Sequence, residues 1–245
     1  MAAALLFAVA SFAQKKEIKK AQKAFVKGDI ETAKTLLNTA EAKLVGSDIS
    51  TKIDFYIALG EVTLADAGKF GYEDMKAAAA AFMKAQELDA NKEYKGIISN
   101  GLDNTRVALF NSAVTDSQAK NYAAAGEKFY LSYTVKKDTI DLYYAAGSMV
   151  NAKNYDTSLE YYEQLLAINY TGIKKEYVAL RIEDNETVAF SSEADRNTEL
   201  ISGKYTKPSE RMSASVKGDI LKNVVLILSS KGENDKAIAL MQEAR

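Results

Sequence analysis

The chain has 245 residues, 47% of them hydrophobic and 27% charged, and its 32 basic side chains nearly cancel 33 acidic ones. That is the balance of an ordinary globular protein with enough apolar residues for a sizeable core, and it makes no electrostatic case for nucleic acid. Histidine and cysteine are both absent, which excludes Ser-His-Asp and Cys-His catalysis, the usual zinc sites, haem ligation and iron–sulfur clusters, so no cofactor or metal is expected.

Residues 1–13, MAAALLFAVASFA, are uncharged and apolar, and lysines follow at Lys15 and Lys16. The run is too short to span a bilayer, and no later run is longer, so no membrane span is expected. It reads as the apolar core of a secretory signal peptide without its basic n-region, with Ser11-Phe12-Ala13 as the small-x-small cleavage site before Gln14. The competing reading is a buried N-terminal helix. Export would put the mature chain in a Gram-negative periplasm.

Residues 15–45 form a first helical hairpin turning at Gly28-Asp29. Residues 50–67 and 73–88 form a second, with a long turn at Ala67 to Tyr72. A long helix over 93–118 opens the third, with Gly101 as a candidate break. Residues 142–169 read as two helices broken at Lys153-Asn154-Tyr155, where Asn154 suits the left-handed end of the first and Asp156 the start of the second. Each second helix carries one stripe at steps of four and three, the spacing of a helix face. The stripes are Ala33, Leu37, Ala40; Ala78, Phe82, Ala85; Ala125, Phe129, Ser132; Ser158, Tyr162, Leu165; and Ala237, Met241, Ala244. An isolated hairpin cannot bury both its faces, so these units are expected to stack.

Residues 170–207 break the pattern. Val178, Leu180 and Ile182 alternate, Val188 and Phe190 share a face, and Glu183 to Glu186 is a polar turn, which together predict a β-hairpin. The segment is either a packing flap or a binding element. A last hairpin follows over 208–245. Ile238, Leu240, Met241 and Ala244 leave it apolar outward, where a further repeat or a partner could dock.

With Leu59-Gly60 in a first helix, Ala78, Phe82 and Ala85 in the next, and Leu88-Asp89-Ala90-Asn91 after them, the chain resembles the tetratricopeptide repeat family. The resemblance covers most of 15–169 and again 208–245. Family repeats run about 34 residues, and here only the step from Ala125 to Ser158 comes close. It implies an all-α superhelix (solenoid) of αα-hairpins, four in 14–169 and a fifth in 208–245, with the β-hairpin inserted at 170–207.

The resemblance also implies a groove, lined by first helices, that grips extended peptides. By position it would present Asp54, Ile57 and Glu61, then Phe110, Val114 and Ser117, then Asp141, Tyr144, Ser148 and Asn151. Of the family's Lys, Arg and Asn clamp for a peptide C-terminus only Asn151 fits, and Asp54, Glu61 and Asp141 would repel a carboxylate. A basic or apolar segment suits such a groove better. Ser117-Gln118-Ala119-Lys120 has the Ser-x-x-Lys spacing of one catalytic class, yet Lys120 stands at the turn position shared with Lys153 and Lys231. The expected role is therefore a non-catalytic scaffold or adaptor of the cell envelope that binds a protein partner. The alternatives are a structural subunit self-associating through its C-terminal end and, distantly, a carboxylate-dependent hydrolase.

Overall fold

Left-handed residues end the helices at matching places. Gly28, Lys120, Lys153 and Gly232, with φ of +79°, +63°, +60° and +79°, each stand five positions before the small residue of a stripe: Ala33, Ala125, Ser158 and Ala237. The amide of the next residue then reaches back along the finished helix. Asp29 N–H donates to Ala24 C=O at 3.0 Å, Asn121 to Asp116 at 2.8 Å, Asn154 to Met149 at 2.9 Å and Glu233 to Leu228 at 2.9 Å. This closure satisfies carbonyls that the helix end would leave unpaired. At the turn after residue 151 the left-handed residue is thus Lys153, and Asn154 follows it.

A computed structural model describes the backbone of residues 2–243 and the side chains of 14–68 and 71–242. The chain divides into two compact units, Met1–Asn154 and Tyr155–Arg245.

In the first unit, α1 (Ala2–Val26) packs on α2 (Ile30–Glu41), and after a short turn α3 (Ile49–Phe70) packs on α4 (Tyr72–Leu88). The pair α5 (Lys95–Gln118) and α6 (Tyr122–Lys136) comes next, and α7 (Thr139–Asn151) lies against α6. The expected long turn from Ala67 to Tyr72 is instead the single residue Gly71, at φ +94° and ψ −143°. Only glycine occupies that region readily, so α3 continues to Phe70. Gly101 does not interrupt α5. It makes room for Phe82 of α4, whose ring a Cβ at Gly101 would meet at 2.2 Å and a Cβ at Gly60 of α3 at 2.7 Å. The stripe residues Ala33, Leu37, Ala40, Ala78, Phe82 and Ala85 are all buried.

In the second unit, α10 (Lys217–Ser230) packs on both α8 (Tyr155–Ala167) and α11 (Asn234–Glu243). Asn223 Nδ2 donates to Tyr162 Oη at 3.0 Å, and the Lys231 ammonium pairs with Asp156. Between α8 and α10 the chain forms strands β1 (Lys175–Arg181) and β2 (Thr187–Phe190), then α9 (Glu193–Ile201) and β3 (Tyr205–Met212). The sheet is antiparallel in the order β2-β1-β3, with Tyr177 opposite Phe190 and Val178 opposite both Ala189 and Ser209. The expected hairpin is therefore completed by a third strand. Residues 209–212 belong to that strand, and the first helix of the last pair begins only at Lys217. Ile182 lies beyond β1 and is exposed.

The protein is an α-helical array of tetratricopeptide-like hairpins carrying a small antiparallel sheet. Among the described residues no helix is long and apolar enough to cross a membrane. The side chains of the expected export segment, residues 1–13, lie outside the described ones, as does Ala244 of the last stripe.

Candidate functional site

On α5, Val107, Phe110 and Val114 recur at three- and four-residue steps and form one face. Val107 is 52% exposed, and Phe110 and Val114 are half-buried. Tyr144 of α7, 41% exposed, meets Phe110 edge to face with ring centroids 5.8 Å apart. Phe129 of α6 lies under both, at 5.2 Å from Phe110 and 5.4 Å from Tyr144. Three mutually supporting rings form a rigid aromatic surface, each contact contributing about 0.5–1.5 kcal/mol beyond the area it buries.

A partly buried ion pair holds this surface in place. Arg106 Nε and Nη2 donate to the two oxygens of Asp141, both at 2.7 Å, and Ser132 Oγ of α6 donates to Asp141 Oδ2 at 2.6 Å. Arg106 Nη2 also pairs with Asp138 at 2.8 Å, and Asp138 accepts the Ile140 N–H at the start of α7. The Arg106 guanidinium lies 5.9 Å from the centre of the Phe110 ring. Its hydrogen bond to Asp141 raises the arginine pKa further above its already high value, so it stays charged.

The residues expected to line a groove fall into three groups. Phe110, Val114 and Tyr144 present the aromatic face just described. Ile57, Asp141 and Ser148 are buried. Ile57 belongs to the core with Phe82 and Leu102, and Asp141 is consumed by Arg106, so none of the three has a side chain to offer a peptide. The remaining four lie elsewhere. Asn151 lines a shallow recess of about 490 Å³ with Lys120 to Ala124, and Ser117 is half-buried near the same end of α5. Asp54 of α3 lines a pocket of about 320 Å³ with Lys15, Ile18, Lys19 and Gln22 of α1. Burial raises its carboxyl pKa, with Lys15 and Lys19 pulling it back down. Glu61, two turns further along α3, is half-buried, and burial alone pushes its carboxyl above the usual range.

Sequence reasoning missed Arg106 and the Lys15–Lys19–Gln22 wall. The available signal for Arg106 was its isolation, since α5 has no other basic residue after Lys95. The Ser117–Lys120 spacing resolves into a helix end: Lys120 N–H donates to Ser117 C=O at 3.0 Å, and the Lys120 side chain is exposed. Among the described residues no cluster of acidic side chains could hold a metal ion.

No family model and no curated protein sequence matches the chain. Several solved structures resemble it weakly, two of them as follows. One is BtubC (BKLC) from P. vanneervenii, at 14% identity over 97% of this chain and 87% of that one, with a TM-score of 0.35. The other is pilF from Pseudomonas aeruginosa, at 15% identity over 96% of this chain and 99% of that one, with a TM-score of 0.24. At such scores neither assigns a function to this protein.

Proposed function

We propose that the protein is a non-catalytic scaffold that binds a protein partner through the exposed face of α5 and α7. The observation that carries this reading is the solvent-facing Tyr144, held edge-on to Phe110 and backed by Phe129. Rigid aromatic side chains fixed from behind supply contact area at little entropic cost, which is why such residues anchor protein interfaces. The apolar run of residues 1–13, followed at once by lysines, supports work in the cell envelope after export.

A photo-crosslinking residue at position 144, activated in native cells, tests the binding face. One recurrent partner, lost when the crosslinker is moved to exposed Lys76 on α4, supports it. Crosslinks that are absent, or the same from both positions, count against it. The N-terminus of the purified native chain tests export: a periplasmic protein starting at Gln14 agrees, and a cytoplasmic chain retaining residues 1–13 does not.

A structural subunit is the second reading. Leu226 of α10 and Ile238 and Met241 of α11 are large apolar side chains left exposed in the second unit. Concentration-dependent self-association weakened by Met241→Glu would favour this reading over the adaptor.

A further inference from the structure

The three-stranded sheet ends on two edges of opposite character. Along β3 the chain passes through Lys207, at φ +49°, and Pro208. A left-handed residue distorts the strand and proline has no N–H to give, and both devices keep an edge from pairing. The β2 edge has neither. Arg181 N–H donates to Glu186 C=O at 2.8 Å, and the register continues through Ala179 opposite Val188 and Tyr177 opposite Phe190. Bonded and non-bonded pairs alternate along an antiparallel ladder. Thr187 and Ala189 therefore direct their N–H and C=O groups away from β1, both residues are exposed, and the sheet ends at β2. Helix α9 lies over a face, with the Arg196 guanidinium 5.6 Å from the Tyr177 ring and its Nη1 donating to Ser209 C=O of β3. Helix α9 packs against all three strands, β2 included.

Charge narrows what could pair there. Glu183, Asp184 and Glu186 stand at one end of β2 against Arg181, and Glu193 and Asp195 at the other against Arg196 and Lys175 of β1, whose ammonium interacts with Glu193. Both arginines are already engaged, Arg181 by Asp184 and Glu186 and Arg196 by Glu193, and Arg196 is buried. The ion pairs leave Glu183 at one end and Asp195 at the other as the carboxylates outside them, flanking an uncharged Thr-Val-Ala-Phe strand. A second copy of β2 laid antiparallel would bring acidic ends together and be repelled. A strand with positive ends would be attracted.

We propose that β2 takes up an extended segment of another protein by strand addition, the segment having an uncharged alternating centre and lysine or arginine at both ends. Affinity would come from main-chain hydrogen bonds to Thr187 and Ala189, and selectivity from the acidic flanks. This site is separate from the α5–α7 face, and either can fail without the other.

The probe is a fluorescent peptide, Lys-Lys-Val-Thr-Val-Thr-Val-Lys-Lys, titrated onto the full chain and followed by anisotropy. Its counterpart is the same peptide methylated on alternate backbone nitrogens, which keeps the charge and loses the donors. We expect the parent peptide to bind, to weaken about tenfold or more on methylation or on Ala189→Pro, and to slow amide exchange at Thr187 and Ala189. Ala189 N–H faces outward, so the proline removes no bond to β1, and the methylated peptide and exchange readouts do not depend on that variant. No binding, equal binding of the methylated peptide, or binding with both amides unprotected would overturn the proposal. So would concentration-dependent protection of these amides without peptide, which would give the edge to a second copy.

Discussion

Arg106 and Asp141 meet through two hydrogen bonds of 2.7 Å and tie α5 to α7 across 35 residues of sequence. Asp141 is fully buried, whereas Arg106 retains some exposure and a second carboxylate, Asp138. The two ends of the pair should therefore differ in cost. Arg106→Ala leaves a buried carboxylate with only Ser132 as donor and should destabilise by about 3–5 kcal/mol. Asp141→Ala leaves Arg106 free to turn to Asp138 and water and should cost less. Urea denaturation of both variants checks this, and the reverse order would mean that the carboxylate is not the costly partner.

Gly101 is fixed by Phe82. A methyl group there would overlap the ring, and the overpacking should cost about 1–3 kcal/mol despite the better helix propensity of alanine. Gly101→Ala should therefore lower the melting temperature. Combining it with Phe82→Leu should cost less than the two single changes added together, because the smaller side chain frees the space.

Lys120 and Lys153 occupy the left-handed position that Gly28 and Gly232 occupy at equivalent turns. A side chain with a Cβ is strained there by about 1 kcal/mol. Replacing either lysine by glycine should stabilise the fold by about that amount, and Gly28→Ala or Gly232→Ala should destabilise it similarly. Thermal melts of the four variants would show opposite signs for the two pairs.

Glu61 has a carboxyl pKa raised above 4.5 by burial. An acid with a raised folded pKa holds its proton more tightly in the folded state, so ionisation costs stability as pH rises. Glu61→Gln should therefore be more stable than the parent above the raised value. The gain should shrink as pH falls and vanish below the ordinary glutamate range. Denaturation midpoints at pH 3.5 and pH 7 measure the difference, and a gain independent of pH would exclude burial of the charge as its source.

Tyr144 is exposed and should matter more for binding than for folding. Tyr144→Ala gives up the contacts with Phe110 and Phe129, about 1–3 kcal/mol, and should leave the chain folded while abolishing capture of the partner by the α5–α7 face. Equal loss of both would make the ring a packing residue.

The repeating features were legible from local pattern. The stripes through Ala33, Ala78 and Ser158 mark buried helix faces because a period near 3.6 is a property of one helix alone. The β1–β2 hairpin was legible for the same reason, since alternation and a polar turn lie within a few residues. The exposed aromatic face was legible in part: Phe110 and Tyr144 were named, but nothing local showed that they touch.

Contacts between segments distant in the chain were decided only by the tertiary structure. Residues 205–212 contain a proline and several charges and do not read as a strand, yet they pair with β1 because that strand had a free side. Ile57, Asp141 and Ser148 occupy positions on first helices that the repeat pattern turns toward a ligand. The particular neighbours they meet, the Phe82 core and Arg106, bury Ile57 and Asp141. Local periodicity determines which face of a helix is apolar, whereas what covers that face depends on residues far away in the sequence.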